Sequence, residues 1–309
     1  MRREYARLSG AVLLLAAVVA ACIPAARAQD IEPRSYSNAP VGVNFLIAGY
    51  LHTKGGLAFD SATQLTDPKL KINSAVLAYA RVLDLWGMSG KFDAIVPYAW
   101  LSGTAQYRGE PVERQVDGLV DPRFRLSVNF YGAPALALPD FRNYRQDLIL
   151  GASLQVSAPA GQYDETRLVN LGSNRWFFRP ELGVSKALGP LTLEGKFATT
   201  FFTDNKDFFN GRTREQDPIY STQANLIYSF DSGVWASLDA TYFTGGRTTI
   251  DGVRGNDLQK NWRVGGTLAL PLDAHNSIKF SASNGVSART GNGYDLFGVA
   301  WQYRWGGGL

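Results

Sequence analysis

Residues 220–230, YSTQANLIYSF, alternate in character along their whole length. Thr222, Ala224, Leu226, Tyr228 and Phe230 share one face, while Ser221, Gln223, Asn225 and Ser229 share the other, with Ile227 as the exception. A period of two is the pattern of a strand with one apolar and one polar face. The same pattern recurs on both sides. In LTLEGKFATTFF (191–202), Leu191, Leu193, Phe197 and Phe201 oppose Thr192, Glu194, Lys196 and Thr200. In NWRVGGTLAL (261–270), Trp262, Val264, Leu268 and Leu270 oppose Arg263 and Thr267. In SIKFSAS (277–283), Ile278, Phe280 and Ala282 oppose Lys279, Ser281 and Ser283.

Twelve such segments are expected, near 41–51, 71–83, 89–104, 118–130, 146–158, 175–187, 191–203, 217–230, 234–244, 261–271, 277–284 and 293–305. The segment 71–83 alternates poorly, and its faces stay unassigned. Short connections such as Leu188-Gly189-Pro190, Asp231-Ser232-Gly233 and 272–276 take turns with longer polar stretches at 52–70, 104–117, 159–174, 204–216, 245–260 and 285–292. Short turns at one rim and long loops at the other are the layout of an outer-membrane barrel. An even strand number also brings the C-terminus back to the side of the N-terminus. The stretch 131–145 breaks the rhythm and is expected to hold a short periplasmic helix.

The chain has 309 residues, with 32 Gly, 17 Phe, 14 Tyr and 7 Trp against a single Cys, two Met and two His. One cysteine excludes a disulfide framework and a Cys-based zinc site. After residue 30 no apolar run approaches the roughly 20 residues that a spanning helix needs. The start reads as a secretory signal: Arg2, Arg3 and Arg7 precede an apolar run from Leu8 to Ala21, and Ala26-Arg27-Ala28 is a small-x-small cleavage site. A rival reading is a lipobox at Val19-Ala20-Ala21-Cys22, which would place a lipid on Cys22. Removing residues 1–28 takes away four arginines and one glutamate and leaves 27 basic and 26 acidic residues, net +1. No basic surface for nucleic acid follows. The organisation expected is a signal peptide at 1–28, a periplasmic or plugging segment at 29–40, and a barrel from 41 to 309.

A soluble β-sandwich shows the same alternation. A sandwich of this length more often splits into two domains, and no linker is visible. Trp86, Trp100, Trp176, Trp235, Trp262, Trp301 and Trp305 all fall in or beside strand segments, as interfacial girdles require. The reading taken is an all-β, up-and-down antiparallel transmembrane barrel of about twelve strands. Eight strands leave room only for packed side chains and sixteen or more an open channel, so twelve permits a narrow or partly plugged lumen.

Arg or Lys facing lipid at mid-depth costs about 2–4 kcal/mol. The lumen is therefore the expected place for Arg123, Arg125, Arg175, Arg179, Glu181, Glu194, Lys196, Arg263, Lys279 and Arg304. These charges can knit the lumen shut by pairing, or line a polar path. No metal or cofactor is expected, because two scattered histidines make a poor ligand set. His275-Asn276-Ser277 superficially resembles the His-x-Ser pair of outer-membrane phospholipases, but it sits in a predicted periplasmic turn, and ordinary turn chemistry is the default. His52 is placed in the first long loop. Asp60, Asp67, Asp164, Glu165, Asp204, Asp207, Asp217, Asp251 and Asp257 read as solvated loop carboxylates, and the repeated Asp-Pro pairs at 67–68, 121–122 and 217–218 as turn punctuation. Phe208, Phe209, Tyr107 and Tyr163 are candidates for an external aromatic surface. The closing FGVAWQYRW (297–305) puts Phe297, Val299, Trp301, Tyr303 and Trp305 on one face. Gly298, Trp301 and Tyr303, with Trp305 beyond them, match the spacing of an outer-membrane assembly signal, although Gly306 to Leu309 follow it.

The stretches PRSYSNAPVGVNFLIAGY (33–50), GLVDPRFRLSVNFYGAPAL (118–136), PAGQYDETRLVNLGSNRWFFRPELGVSKALG (159–189), YFTGGRTTIDG (242–252), NWRVGGTLALPL (261–272) and WQYRW (301–305) resemble the bacterial outer-membrane family named after the meta-pathway of phenol degradation. The resemblance implies an outer-membrane barrel linked to uptake of aromatic compounds, and it supplies no catalytic residues. The function expected on this basis is passive uptake of small hydrophobic or aromatic compounds by a non-enzymatic channel. Its partners would be outer-membrane lipid and lipopolysaccharide, the barrel-assembly machinery and the solutes, with no nucleic acid. A structural or adhesive barrel with a closed lumen and a lipid-modifying outer-membrane enzyme remain as alternatives.

Overall fold

In a computed structural model, residues 32–57, 65–288 and 292–309 are described. The signal-sequence reading, its cleavage site, Cys22, residues 29–31 and Asp60 lie outside them. The chain runs through β1 (Val43–Leu57), β2 (Leu65–Leu85), β3 (Met88–Tyr107), β4 (Glu110–Leu119), β5 (Arg123–Tyr131), the four-residue helix α1 (Leu138–Phe141), β6 (Leu148–Ser157), β7 (Phe177–Leu188) and β8 (Leu191–Phe202). It continues with β9 (Asn205–Phe208), β10 (Arg212–Gln216), β11 (Ile219–Ser229), β12 (Trp235–Gly245), β13 (Thr248–Ile250), β14 (Val253–Arg254), β15 (Gln259–Pro271), β16 (Asn276–Ala288) and β17 (Asn292–Gly306).

Twelve of these described strands close into one antiparallel ring, in the order β1, β2, β3, β5, β6, β7, β8, β11, β12, β15, β16, β17. Closure is the β1–β17 ladder, from Val43 opposite Gly306 to Leu57 opposite Asn292. All twelve strand segments expected from alternation are present. β3 is shared: Gly90–Ile95 pairs β5, while Tyr98–Tyr107 pairs β4. Val120, Asp121 and Pro122 separate β4 from β5, so Asp121-Pro122 interrupts one path up the wall.

The exterior follows the alternation. Leu226 and Tyr228 on β11, Leu193 and Phe197 on β8, and Val264 on β15 are exposed. The burial of Ile227, which broke the pattern in the sequence, is complete at 0 % exposure on the inner face. Aromatic pairs band the exterior near both rims. Tyr98–Trp100 (5.0 Å), Tyr242–Trp262 (4.9 Å) and Trp176–Phe178 (6.5 Å) lie on the loop side. Trp301–Tyr303 (6.1 Å) and Tyr303–Trp305 (5.6 Å) stack on the short-turn side. Such belts sit at the two water interfaces of a membrane.

Some long loops are more ordered than expected. The stretch 104–117 is the β3–β4 hairpin, and 204–216 with 245–260 supplies β9, β10, β13 and β14, which form a separate four-stranded sheet over the mouth. β1 reaches Leu57, so His52 lies on a strand, with Nδ1 2.8 Å from Asn73 Oδ1, and not in a loop. β16 runs to Ala288 and β17 starts at Asn292, so residues 285–288 and 292 of the expected loop are strand. Trp235 departs from the girdle assignment: its ring lies inside, under the guanidinium of Arg34 at 4.8 Å.

The wall bends where β5 passes to its turn. The β5–β6 register shifts between Val128 and Tyr131. Gly132 has φ +77°, and a Cβ there would stand 1.7 Å from the carbonyl oxygen of Leu148. Backbone cannot retreat as a side-chain end does, and positive φ is itself costly for an L-residue. Gly132→Ala is expected to destabilise the barrel by at least about 1–3 kcal/mol, read as a lower urea midpoint for the heat-dependent gel shift of the folded barrel; an unchanged midpoint would contradict this account of the bend.

Candidate functional site

The lumen is occupied by the chain's own N-terminal segment. Glu32 to Asn38 run inside the ring before Val41 and Gly42 turn into β1. Tyr36 is 1 % exposed and packs with Ala133 and Ile149. Its ring lies against the inner wall where Gly151 of β6 pairs Gly183 of β7. A Cβ on Gly151 would be 2.3 Å from the ring, and one on Gly183 2.0 Å. The two glycines thus leave a slot the thickness of one aromatic ring. The Tyr36 hydroxyl donates to Glu181 Oε1 at 3.0 Å, and the Asn129 side-chain amide donates to the Tyr36 carbonyl at 3.1 Å.

Charges hold the rest of the segment. Arg125 donates to both Glu32 carboxylate oxygens, at 2.6 and 3.1 Å, and its Nε donates to Asp93 at 2.9 Å. Lys196 donates to the Glu32 carbonyl at 2.8 Å and to Ser35 Oγ at 3.0 Å. The Arg34 backbone N–H donates to Glu194 at 2.8 Å, and its guanidinium donates to Ser229 Oγ at 2.5 Å. Bidentate charge-assisted bonds of this kind are the stronger class of hydrogen bond. Within this set Arg125 and Asp93 are mostly buried, at 13 % and 11 % exposure, whereas the Glu32 side chain is 40 % exposed and its pair is partly screened by water.

The ten ionisable residues expected in the lumen are placed as follows. Arg125, Glu194 and Lys196 hold the N-terminal segment, as above. Arg179 and Glu181 pair with each other at 3.5 Å. Arg263, 3 % exposed, donates to Ser283 Oγ at 3.0 Å. Arg175 lies at the loop end, bonded to Gln216 and stacked over Phe202 at 4.4 Å. Arg123 lines the loop-side chamber and Lys279 the short-turn chamber, where Arg304 donates from Nε to the Ala274 carbonyl at 2.7 Å. They are not all on neighbouring strands: β11 and β12 separate Arg263 on β15 from Lys196 on β8. Sequence reading missed Asp93, Asn129, Tyr36, the Gly151–Gly183 slot and Asp239, which is 4 % exposed and accepts from Ser237 at 2.9 Å.

The opposite wall is apolar. Phe45, Ile47, Ala80, Val82 and Ala300 line a short-turn chamber of about 520 Å³, which the N-terminal segment bounds on its other side. Leu51, Ile72, Val76, Pro97, Leu101 and Leu296 line a loop-side chamber of about 590 Å³. Between them the register places Gly49 against Val76 and Ala300, and Ile47 against Ala78. Gly49, Ala78 and Ala300 are thus small at mid-wall, where the opposite side of the lumen is filled by Tyr36. One side of the lumen is therefore charged and blocked, and across from it β1 and β2 contribute an apolar stripe.

The remaining candidates have structural partners. His275 Nδ1 lies 2.9 Å from the Arg304 carbonyl oxygen, and the turn is held by Asp273, which accepts the His275 and Asn276 backbone N–H at 2.7 Å each. Those backbone bonds and the Asn276 amide hold the Asp273 carboxyl below its usual pKa range. Asp121 is more than turn punctuation: it accepts Gly161 N at 2.9 Å and Ser173 N at 2.8 Å, tying the 158–176 loop over the mouth. Asp257 is buried and accepts Thr248 N and Oγ1. Phe208 is only 5 % exposed, so it belongs to the loop sheet and not to an external surface, while Phe209 meets Tyr107 edge-on at 6.5 Å. Gly298 faces inward beside Leu51 and Ser281, and Trp301, Tyr303 and Trp305 form the outer stack. Among the described residues no cluster of three or more His, Cys, Asp or Glu suits a metal ion.

A closed antiparallel ring, banded outside with aromatics and charged within, defines a transmembrane β-barrel of the outer-membrane type. The chain belongs to the family described as "Putative MetA-pathway of phenol degradation", whose profile matches residues 55–303. Its fold is shared with the COG4313 outer membrane channel from Pseudomonas putida F1, at 21% identity and TM-score 0.76 over 89% of this chain and 100% of that one. The transport unit of the autotransporter AIDA-I from Escherichia coli is similar at 9% identity and TM-score 0.51, over 89% and 93% of the two chains. Comparison with curated proteins gives no match.

The slot makes the seating of the N-terminal segment testable without touching a charge. In Gly183→Val the new side chain meets the Tyr36 ring, and a β-branched residue suits a strand. The variant is expected to keep the folded barrel's heat-dependent gel shift, to expose residues 32–38 to added protease, and to conduct ions several-fold better than the parent in planar bilayers. Parental conductance and protease resistance would mean that Tyr36 does not need the slot.

Proposed function

We propose that this barrel is an outer-membrane channel through which small hydrophobic or aromatic solutes diffuse passively. The observation that carries the reading is the two-sided lumen. An apolar stripe, made by Phe45, Ile47 and Leu51 of β1 and Ile72, Val76, Ala80 and Val82 of β2, lines both chambers, across the lumen from the face on which the N-terminal segment is tied by charges. An apolar solute gains by moving along the first face and is excluded from water-filled space by the second. The need for such a path is physical: the lipopolysaccharide leaflet slows apolar solutes. The family's description concerns phenol degradation, and the Pseudomonas putida protein of shared fold is an outer membrane channel; both support the same reading.

In this reading residues 1–28 are removed on export, residues 29–40 act as a plug, and the short-turn rim faces the periplasm. The aromatic stripe of β17 is the segment recognised by the assembly machinery, and the outer bands meet lipid and lipopolysaccharide. The same plug contacts favour a second reading, a closed barrel with a structural role.

Vesicles with a lipopolysaccharide outer leaflet separate the two. With the protein inserted, phenol is expected to enter several-fold faster than into bare vesicles, while sucrose entry stays at the background rate. Equal phenol rates with and without the protein would remove the channel reading in favour of the closed one.

A further inference from the structure

The outer face of the β1–β2–β3 wall changes character toward the loop-side rim. Leu77 and Val96 are exposed deeper in the wall, and Tyr50 and Trp100 follow them in the aromatic band. Next come His52 and Asn73, opposite each other in the register. The Tyr50 hydroxyl donates to Asn73 Oδ1 at 2.9 Å, and His52 Nδ1 lies 2.8 Å from the same oxygen. One rung farther out, about 7 Å along the strands, Lys54 of β1 stands directly opposite Lys71 of β2. Lys69 precedes Lys71 on the same face, and Ser102 of β3 lies across from Lys71 on its other side. All four of these side chains are exposed, while Leu70 and Ile72 between and beside the lysines turn inward.

Like charges directly opposite each other in a sheet are destabilising. Carboxylates border the patch: Asp295 of β17 is opposite Lys54, and Asp67 precedes Lys69 at the β2 bulge. They offset part of its charge and leave Lys71, with a lysine across from it and another along its strand, at the centre. An anion that meets several ammonium groups relieves their repulsion, and phosphate forms charge-assisted hydrogen bonds with each. Position selects the source of the phosphate. The patch lies just beyond an aromatic band, where lipid head groups meet water, and lysine stems lie along apolar surface while the ammonium stays in water. We infer that Lys54, Lys69 and Lys71, with the Ser102 hydroxyl, hold a phosphate of lipid A, the membrane anchor of lipopolysaccharide, whose acyl chains lie along Tyr50, Leu77 and Val96. The site goes beyond the channel reading and rests only on the orientation given with it, the loop-side rim outward.

Native mass spectrometry of the detergent-solubilised full chain tests it, with bis-phosphorylated lipid A and the same lipid stripped of phosphate as probes. Each lysine beside an anionic lipid strengthens attraction about fivefold, so the phosphorylated lipid is expected to be retained at least about tenfold over the stripped one. Lys54→Gln/Lys69→Gln/Lys71→Gln should lose that preference, and Lys54→Arg/Lys69→Arg/Lys71→Arg should keep it. Lys206→Gln/Lys260→Gln, which removes exposed lysines elsewhere on the loop side, should leave it unchanged. Equal retention of the two lipids by the unmodified protein overturns the inference, and that comparison needs no variant to fold. A preference that survives in the glutamine triple variant with an intact gel shift, or that falls equally in the Lys206/Lys260 variant, overturns it as well. Displacement of lipid A by excess inorganic phosphate would make the patch a site for free phosphate and overturn the lipid assignment. Orientation is read separately. Glu110→Cys, at the exposed tip of the β3–β4 hairpin, should react with a membrane-impermeant maleimide on intact cells; reaction only after lysis puts that rim in the periplasm and removes the inference. Phenol uptake by vesicles without lipid A selectivity leaves the channel alone standing, whereas lipid A selectivity without phenol uptake leaves the site.

Discussion

Hydrocarbon offers no hydrogen bonds, so every backbone N–H and C=O at membrane depth must find a partner within the protein. The ladder that joins β17 to β1 meets that demand, because without it two long strands would expose unpaired edges to lipid. Much else depends on this closure. It sets the ring at twelve strands among the described residues, fixes which side chains point in and out, and forces inner charges to find partners inside. The exception is instructive. β4 has a neighbour on one side only, β3, and it lies on the loop side beyond the point where β3 leaves β5. There the edge lies beyond the hydrocarbon, and part of it is met by the 158–176 loop, whose Gln162 N–H donates to the Leu119 carbonyl at 2.7 Å.

Closure at twelve strands creates a lumen too wide for wall side chains alone to fill. The chain fills part of it with its own residues, and the fit is specific. A glycine pair thins the β6–β7 wall for one aromatic ring, and a set of acids and bases on β3, β5, β7 and β8 meets Glu32, Arg34 and Ser35. The filling is one-sided. The inner face of β1 and β2 keeps mostly apolar side chains, so the N-terminal segment is tied on one side of the lumen only. A uniformly polar ring would hold water, and a uniformly apolar one would collapse onto the segment; division allows an anchored segment and an apolar path to coexist.

The strands were legible because the boundary between lipid and lumen imposes a period of two on each of them. Residues 220–230 carry it almost without fault, and the one break, Ile227, is an inner residue that is fully buried. The segment 71–83 resisted assignment for a physical reason: its inner residues Ile72, Val76, Ala80 and Val82 line the apolar face of the lumen, while its outer ones include Lys71, Asn73 and Arg81. Amphipathic reading presumes that the inside is polar, and here the inside is not. The strand extensions beyond the membrane, the hairpin at β3–β4 and the sheet over the mouth were illegible because water on both sides removes the alternation. Trp235 was misplaced for a related reason, since an aromatic near a strand end satisfies a girdle or stacks under a lumenal arginine equally well in sequence.

The sequence alone determined the class of fold and the number of barrel strands, because both follow from local alternation and from the cost of charge in lipid. It did not determine which charges meet. Arg125 meets Glu32 across 93 positions of chain, and Arg34 meets Glu194 across 160. Tyr36 likewise finds the Gly151–Gly183 pair far along the sequence. No local period reaches so far. Those pairings, and the apolar face opposite them, were decided only when the ring closed and brought strands distant in the chain around one lumen.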